Sequence, residues 1–304
     1  MSGDVIVTVT LNATLHVAYA ADDLAAEGVN PVSRPAYRAG GRGVTVARVL
    51  RAFGHDVLAA GLAGGASGEL IIQDLARAGV PTAFTLIRGE SRRFFRFVGP
   101  AGRVMRFGET GPYITTEELG RFAADYRRLM AGAAAVVLCG SLPAGLPAET
   151  YGSLTSYADE AGVPVVLGAS GSALLHGAER GPALIVPDQA DEAAGLQTEA
   201  GTAVVMVTDR GVLARTPGGP WLAELGADAA SQAGRSPSPE SELDGFRDGL
   251  VAGFVPGIAL GWSWPDMLRH ALALAVSASP DGEVDLAGYE ALLPEVTVTG
   301  PGLG

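Results

Sequence analysis

Residues 248–254 read Asp-Gly-Leu-Val-Ala-Gly-Phe, and the rest of the chain is organised around this stretch. Gly245 precedes it and gives the backbone freedom to turn, while Leu250 and the apolar residues after it favour a helix. The sequence therefore predicts a loop that turns into a helix with Asp248 in its first turn, where the helix dipole favours a carboxylate. Free N–H groups at a helix start can hold a phosphate, and a carboxylate beside them suits proton removal from a substrate hydroxyl. An ordinary helix start with an acidic first turn is the alternative.

The composition of the chain limits the classes of protein and partner. Its 304 residues are 48% hydrophobic and include 43 glycines, which suits one large α/β domain. The formal net charge is −12 and no cluster of lysine or arginine stands out, so we expect no nucleic-acid partner. The single cysteine, Cys139, has no partner for an internal disulfide, as is typical of the reducing cytoplasm.

The sequence does not predict secretion or a membrane span. Residues 1–4 lack the basic segment of a signal peptide, and the apolar residues 131–140 are too few and too rich in Ala and Gly to cross a bilayer. We therefore expect a cytoplasmic protein without a membrane partner. The histidines show no metal-type spacing, because they are far apart in the sequence: His16, His55, His176 and His270.

Buried strands alternate with helical segments along most of the chain. The strand-like runs are residues 5–11, 57–63, 134–139, 163–167, 183–186 and 203–207. Such alternation predicts a parallel sheet with helices on both faces. Residues 17–38 lack helical periodicity and, with short strands at 81–86 and 92–98, predict a small appended sheet. Residues 227–242 are rich in Ala, Ser, Pro and charge and predict a mobile loop.

Polar or small residues follow several predicted strands, where open α/β sheets bind their ligands. Asn12 follows the first strand and Ser141 follows the strand at 134–139. Asn12 is also a residue that simply turns the chain. The glycine-rich residues 40–43 precede a helix, but their spacing fits neither the dinucleotide fingerprint nor the P-loop.

Five arginines fall in a short region of alternating polarity: Arg92, Arg93, Arg96, Arg103 and Arg106. In an acidic protein this concentration suits an anionic ligand, because the guanidinium fork matches phosphate and carboxylate. The alternative is an exposed edge strand whose charges oppose aggregation. Both interpretations stay open at this point.

Eight stretches together resemble one family, the PfkB carbohydrate kinases of the ribokinase-like fold, and within it the 1-phosphofructokinase and tagatose-6-phosphate kinase branch. They are residues 10–12, 40–43 with 46–50, 64–65, 91–92, 111–112, 140–143, 170–171 and 248–254. The resemblance implies a three-layer αβα domain over residues 1–304, with a mostly parallel central sheet and a small β-sheet lid at about 12–40 and 82–112. It also implies transfer of the ATP γ-phosphoryl group to a sugar hydroxyl with Mg²⁺, and a homodimer formed through the lid.

The resemblance also implies roles for individual residues. Asp248 falls on the general base, and Arg247, Gly245 and the following helix start would stabilise the transferred charge. The residues implied for the phosphorylated acceptor are Asn12, His16, Gly41, Arg42, Thr45, Arg92, Arg106 and Ser141. Those implied for the nucleotide are Asp188, Thr208, Arg210, Gly211 and Gly249, with Asp188 and Asp191 as magnesium ligands through water.

Departures from the family pattern cluster at this site. The family has Gly-Ala-Gly before the base, and residues 245–247 are Gly-Phe-Arg. Its Asn-x-x-Glu is residues 188–191 here, Asp-Gln-Ala-Asp. Single positions also differ: a sugar-binding Asp is His16, an Asn is Thr45, the Lys of Gly-Gly-Lys-Gly is Arg42, and an Asp is Gly168.

These departures leave two hypotheses. In the first, the chain is a kinase whose acceptor is a phosphorylated sugar or a sugar-like cyclitol phosphate. In the second, it is a degenerate member that binds a phosphosugar or nucleotide without efficient turnover, because each lost anion-stabilising donor costs on the order of 10²–10³ in rate. A purely structural role has no positive support in the sequence.

Overall fold

A ten-stranded sheet forms the centre of the computed structural model, which describes residues 5–20, 28–30, 32, 34–99, 104–196, 201–226 and 240–301. Its strands are β1 (Val5–Thr10), β4 (Val57–Gly64), β5 (Thr82–Ile87), β8 (Ala133–Cys139), β9 (Val165–Gly168), β10 (Leu184–Ile185), β11 (Ala203–Val207), β12 (Val212–Thr216), β13 (Gly219–Leu225) and β14 (Val296–Thr299). They lie in the order β14-β13-β12-β11-β10-β9-β8-β1-β4-β5. Neighbours from β5 to β11 pair in parallel, and β12, β13 and β14 extend the sheet in antiparallel pairs.

Helices cover both faces of this sheet. They are α1 (Arg42–Ala52), α2 (Gly65–Arg77), α3 (Thr116–Met130), α4 (Thr150–Glu160), α5 (Gly171–Ala178), α6 (Ala190–Gly195), α7 (Glu240–Leu260), α8 (Trp264–Ser277) and α9 (Leu286–Leu292), with a 3₁₀ turn at Leu293–Glu295. Successive residues of β1 enter different cores: Ile6 packs with the core that α1, α7 and α8 share, and Val7 with the core of α3 and α4. This alternation is that of a strand buried on both faces. The three-layer αβα prediction with a mostly parallel sheet is therefore confirmed.

A second sheet of four strands, called the small sheet below, stands apart from the main one. It contains β2 (Thr14–Ala20), β3 (Ala36–Gly40), β6 (Arg92–Val98) and β7 (Val104–Gly108) in the order β3-β2-β6-β7. These strands lie inside the two segments predicted for the lid. One boundary differs, because β5 pairs in parallel with β4 and belongs to the main sheet, so that the second lid segment contributes strands only from Arg92 onward.

Helix α7 contains the stretch on which the sequence is organised. It begins at Glu240, so the prediction of a loop at residues 245–247 is wrong, and Asp248 does not lie in the first turn. In an α-helix only the first four N–H groups lack an intrahelical acceptor. The N–H groups of residues 245–248 therefore do not form the predicted phosphate cradle.

Four glycines at intervals of four residues form one side of α7, where α8 and the turn after it approach. A Cβ on Gly249 would lie 2.9 Å from Ala275 Cα, and one on Gly253 would lie 2.4 Å from Ala271 Cα. Gly245 approaches Pro280 N (2.7 Å to its ideal Cβ) and Gly257 approaches Met267 Cγ (2.3 Å). Because Cβ atoms do not fit at these distances, the glycines let α7 and α8 pack closely.

Other sequence predictions have mixed outcomes. The hairpin of β12 and β13 was not predicted, and it adds two strands to the main sheet. Most of the predicted mobile loop, residues 227–239, lies outside the described residues. None of the helices in the described part of the chain combines the length and apolar character needed to cross a lipid bilayer.

Candidate active site

The carboxyl ends of the parallel strands bring several predicted residues together. Asn12, just after β1, donates a hydrogen bond from Nδ2 to Ser141 Oγ at 3.1 Å, just after β8. Gly140 N donates to Gly168 O at 3.0 Å, and Asp188 N donates to Ala169 O at 3.2 Å. Strand ends in a parallel sheet meet at one edge, so these distant parts of the sequence form one crevice.

Arg42 forms ion pairs with two of the predicted site residues. Its Nε donates to Asp248 Oδ1 at 2.8 Å, and its Nη1 donates to the Asp188 carboxylate and to Gly168 O, the latter at 3.0 Å. Asp248 is only 4% exposed. Burial alone would lower the pKa of Arg42, but the Asp248 and Asp188 carboxylates outweigh burial and hold that pKa above its ordinary value. The guanidinium is therefore charged, and it balances the buried carboxylate of Asp248.

Gly168 makes room for this guanidinium. A Cβ at this position would lie 3.3 Å from Arg42 Nη2 and 3.2 Å from Cys139 Cβ. Both distances are tighter than ordinary contact, so a side chain here would press on the ion pair. Arg42 Nη2 is itself buried, and no group in the described part of the chain accepts its hydrogen bond.

Two buried residues beneath the crevice had no predicted role. Tyr151 on α4 donates from its hydroxyl to Gly140 O at 2.9 Å and so supports the turn after β8. Burial raises the pKa of the Cys139 thiol well above its ordinary value, so this cysteine is unsuited to act as a nucleophile. Neither residue belongs to a recognisable sequence motif. Only their positions connect them with the site: Cys139 is the last residue of β8, and Tyr151 bonds to the residue that follows it.

One face of the small sheet, called the cationic face below, carries both arginines that were predicted to hold the acceptor's phosphate. The pairing of β2, β3, β6 and β7 places these side chains on one side: His16, Arg38, Arg92, Arg96 and Arg106. Arg92 Nε is buried without a hydrogen-bond acceptor among the described residues, and burial lowers the pKa of Arg92. Arg96 was predicted only as one of five arginines suited to an anionic ligand, and Arg38 was not predicted; the alternation of side chains along β3 and β6 is the signal that finds both on this face.

His16 joins the cationic face to the glycine-rich turn. A Cβ on Gly40 would lie 2.5 Å from His16 Nε2, so the ring lies against that glycine. Burial lowers the pKa of His16, the Arg92 and Arg38 charges lower it further, and Asp281 opposes them. The ring is therefore held neutral, with one nitrogen able to donate and the other able to accept a hydrogen bond.

The turn between β3 and α1 is built by Gly41 and Thr45. Gly41 has a φ of 107°, which favours glycine, and a Cβ there would lie 2.8 Å from Thr10 Cγ2. The Thr45 hydroxyl donates to Gly41 O at 3.4 Å and is buried. Both residues thus stabilise the turn that positions Arg42, and their predicted contact with acceptor hydroxyls stays a prediction.

The residues predicted for the nucleotide have structural partners of their own. Thr208 and Gly211 close the turn between β11 and β12, with Thr208 N donating to Gly211 O at 2.8 Å. Arg210 pairs with Glu224 at 3.0 Å on the exposed hairpin. Gly249 lies against α8, as described above. Their role in nucleotide binding stays a prediction.

The predicted magnesium ligands do not form a protein-held metal site among the described residues. Asp188 is paired with Arg42, and the exposed Asp191 accepts a hydrogen bond from Glu192 N at 3.0 Å. No group of three or more His, Cys, Asp or Glu side chains in the described part of the chain is arranged to hold a metal ion. A divalent cation at Asp188 would face the Arg42 guanidinium, so the donor set does not fit one.

The three predicted catalytic residues differ in their surroundings. Asp248 is buried and bonded to Arg42, whereas Gly245 is packed against Pro280. Arg247 is half-buried within α7. Of the three, Asp248 is thus the one that the structure ties to other polar residues of the crevice.

A family comparison supports the interpretation of this crevice. Residues 7–215 match the pfkB family of carbohydrate kinases. The chain belongs to this family. The prediction made from the sequence motifs is therefore confirmed, and with it the assignment to a group of sugar kinases that generally use ATP and a metal ion.

Solved structures share the fold along nearly the whole chain. Phosphofructokinase-2 from Escherichia coli in complex with potassium is 23% identical with a TM-score of 0.82, covering 95% of this chain and 98% of that one. The same enzyme in complex with fructose-6-phosphate is 24% identical with a TM-score of 0.79 and the same coverage. A carbohydrate kinase from Agrobacterium tumefaciens is 18% identical with a TM-score of 0.70, covering 99% and 100% of the two chains. At these identities the likeness establishes the ribokinase-like fold.

Proposed function

We propose that this pfkB-family protein is an ATP-dependent kinase that phosphorylates a hydroxyl of a phosphorylated sugar or a sugar-like cyclitol phosphate. One arrangement carries the proposal: the turn at residues 40–42 joins a cationic sheet face to a buried carboxylate. Gly40 lies against His16 on the cationic face, and Arg42 bonds to Asp248. An acceptor that already carries a phosphate suits such a site, since its anion would face the arginines while a hydroxyl reaches Asp248.

The chemistry assigned to this chain is a single displacement. Asp248 accepts the proton of the acceptor hydroxyl, whose oxygen forms a bond to the γ-phosphorus as the bond to the bridging oxygen breaks and ADP leaves with the electron pair. Arg92, Arg106 and Ser141 hold the acceptor's phosphate. Asn12, His16, Gly41 and Thr45 face its hydroxyls. The neutral ring of His16, in place of the family's carboxylate, both donates and accepts, so it favours a different hydroxyl pattern in the acceptor.

The nucleotide is assigned to the opposite side of the crevice. Asp188, Asp191, Thr208, Arg210, Gly211 and Gly249 line the proposed nucleotide side. Arg247, half-buried in the turn of α7 that contains Asp248, is assigned to the transferred phosphoryl group, with Gly245 shaping the helix beside it.

The small sheet is proposed to act as lid and dimer interface within one domain of residues 1–304. The side opposite the cationic face, called the aromatic face below, carries Tyr19, Phe95, Phe97, Met105 and Phe107. Phe107 is 55% exposed and Met105 38%, which is unusual for large apolar side chains grouped on one surface. A second copy of the chain supplies an equal apolar face. E. coli phosphofructokinase-2, which shares the fold, has been observed as a tetrameric inhibited form.

A second candidate function is phosphosugar binding without efficient turnover. Two observations favour it: Arg42 neutralises Asp248 in the resting site, and α7 is helical through residues 245–248, where free N–H groups were expected. In this alternative Asp248 serves the ion pair and not proton transfer.

The Asp248→Asn variant separates the two candidates. ADP release is measured in a coupled assay with fructose 6-phosphate, tagatose 6-phosphate and inositol phosphates, and calorimetry measures binding of the same compounds. For a kinase we expect turnover to fall roughly 10²–10⁴-fold in the variant, as for loss of a general base, with acceptor binding nearly unchanged. The exposed Asp56→Asn variant is the control. Full turnover in Asp248→Asn contradicts the mechanism, and phosphosugar binding with no ADP release in the unmodified protein favours the second candidate.

A further inference from the structure

Arg42 occupies the space between two carboxylates that belong to different parts of the fold. Asp188 follows β10 and Asp248 lies on α7, and the same guanidinium bonds to both. The side chain of Arg42 is 15% exposed, that of Asp248 5% and that of Asp188 26%. Two nearby acidic side chains with limited solvent are otherwise a place where a hard cation binds.

Gly168 is what admits the guanidinium to this position. Its carbonyl accepts from Arg42 Nη1, and its missing side chain leaves the space beside Arg42 Nη2. The family pattern places a carboxylate at this position and a lysine at position 42. In this chain the negative group is gone and the cation is a larger, planar one with donors for both remaining acids.

We propose that Arg42 is the resident cation of the Asp188–Asp248 pair and excludes a divalent metal from Asp188. Arg42 is then a positioning residue, which fixes the carboxylate of Asp248 in the resting site. The proposal concerns the metal and not the identity of the acceptor, so it stands or falls independently of the proposed kinase activity.

A matched pair of arginines on α1 allows a direct comparison. Arg48 also pairs with a carboxylate, that of Asp74, which in addition accepts from Ala39 N at 2.7 Å. The Arg48→Met change takes a guanidinium from one carboxylate, whereas Arg42→Met takes a guanidinium from two. The exclusion of metal therefore predicts a new metal site in Arg42→Met and none in Arg48→Met.

Manganese binding by the full chain tests this prediction without nucleotide or acceptor. MnCl₂ is titrated into the protein, and free Mn²⁺ is followed by electron paramagnetic resonance. We expect no specific Mn²⁺ site in the unmodified protein. In Arg42→Met we expect one site with an affinity at least roughly tenfold higher than any residual binding by the unmodified protein. This site should be lost again in Arg42→Met/Asp188→Asn. Binding by the unmodified protein that Asp188→Asn removes would overturn the proposal, and so would a folded Arg42→Met that gains no site.

Folding itself is the second measurement, because Arg42→Met removes the guanidinium that balances the buried Asp248 carboxylate. If this variant does not fold in metal-free buffer, MnCl₂ or the added Asp188→Asn change is expected to restore its circular dichroism and melting transition. In the protein that retains Arg42, the same Asp188→Asn change is expected to lower the melting temperature, whereas in Arg42→Met it is expected to raise it. A failure of both treatments to restore Arg42→Met overturns the proposal.

Discussion

Arg92 and Arg93 are consecutive residues of β6 that face opposite sides of the small sheet. Arg92 lies beside Thr14 in the pairing with β2, and Arg93 beside Leu15. Arg93 pairs with Glu109 at 2.7 Å and lies over the Phe95 ring. Arg92 Nε is instead buried, with no acceptor among the described residues. Of these two adjacent arginines, Arg93 is thus already paired within the chain, whereas Arg92 is available to a ligand on the other side of the sheet.

This separation predicts unequal effects of the same change. Arg92→Met is expected to weaken binding of a phosphosugar roughly 10–100-fold, because a hydrogen bond to a charged group contributes roughly 1.5–3 kcal/mol. Arg93→Met is expected to change it less than about twofold, since its partner lies on the other face. Isothermal calorimetry with fructose 6-phosphate or the acceptor found by screening measures both. Equal losses in the two variants would mean that the cationic face does not bind the phosphate.

Close packing of α7 on α8 predicts that a glycine-to-alanine change there has the opposite effect to one on the open surface of α3. Gly253→Ala is expected to destabilise the protein by roughly 1–3 kcal/mol, because its Cβ would lie 2.4 Å from Ala271 Cα in backbone that cannot easily move. Gly120→Ala, within α3, has open space around its Cβ position and is expected to stabilise by about 0.5–1 kcal/mol. Urea unfolding measures both, and a neutral Gly253→Ala would show that the helices are farther apart than described.

The aromatic face predicts how the chain associates. Phe107→Glu places a charge in the proposed interface and is expected to convert a dimer into a monomer. Leu86→Glu changes an exposed residue of β5 on the main sheet and is expected to leave the dimer intact. Size-exclusion chromatography with light scattering gives the mass of each. A monomeric unmodified protein, or a Phe107→Glu variant that stays dimeric, would exclude this face as the interface.

His270 predicts a loss of stability in acid. It is 8% exposed and lies 2.7 Å, through Nδ1, from the Tyr289 hydroxyl. Burial, with the like charge of His55, lowers its pKa from 6.5 to about 4. Since the unfolded chain binds the proton first as the pH falls, stability present above pH 6.5 is lost between 6.5 and about 4.

The size of this loss of stability follows from the shift in the pKa of His270. Lowering the pKa from 6.5 to about 4 corresponds to about 3 kcal/mol of unfolding free energy, lost between these two pH values. His270→Gln is expected to be less stable than the unmodified protein at neutral pH. On acidification, however, its free energy of unfolding is expected to fall by about 3 kcal/mol less than that of the unmodified protein. Urea unfolding at a series of pH values measures the difference, with His176→Gln, at a half-buried position, as control. Parallel pH profiles for His270→Gln and the unmodified protein would contradict the assignment.

The sequence predicted local structure better than long-range contacts. The run of β-branched residues in β1 and the alternation after it placed the parallel strands, because burial on both faces leaves a continuous apolar pattern. The hairpin of β12 and β13 was missed although Gly218 and Gly219 stand between two apolar runs, which is a turn signal. The start of α7 was misplaced because the Ser- and Pro-rich residues before it obscured the helix-favouring Glu240, Glu242 and Leu243.

The ion pair of Arg42 with Asp248 could not be read from the sequence. The two residues are separated by 206 positions, and no periodicity connects them. Arg42 and Gly168 were each recognised as departures from the family pattern, but only the fold shows that they are neighbours. Changes at two residues in contact have coupled effects, which cannot be inferred from either change alone.

The glycines of α7 have a consequence for how such a site can change. Asp248 lies between Gly245, which approaches the backbone of the turn after α8, and Gly249, which approaches the backbone of α8 itself. Sliding or rotation of the helix would move the carboxylate away from Arg42, and the contacts that oppose such movement lie on the side of α7 that packs against α8. We therefore expect a substitution in α8 to change the position of Asp248 in the crevice even when every residue of the crevice stays the same.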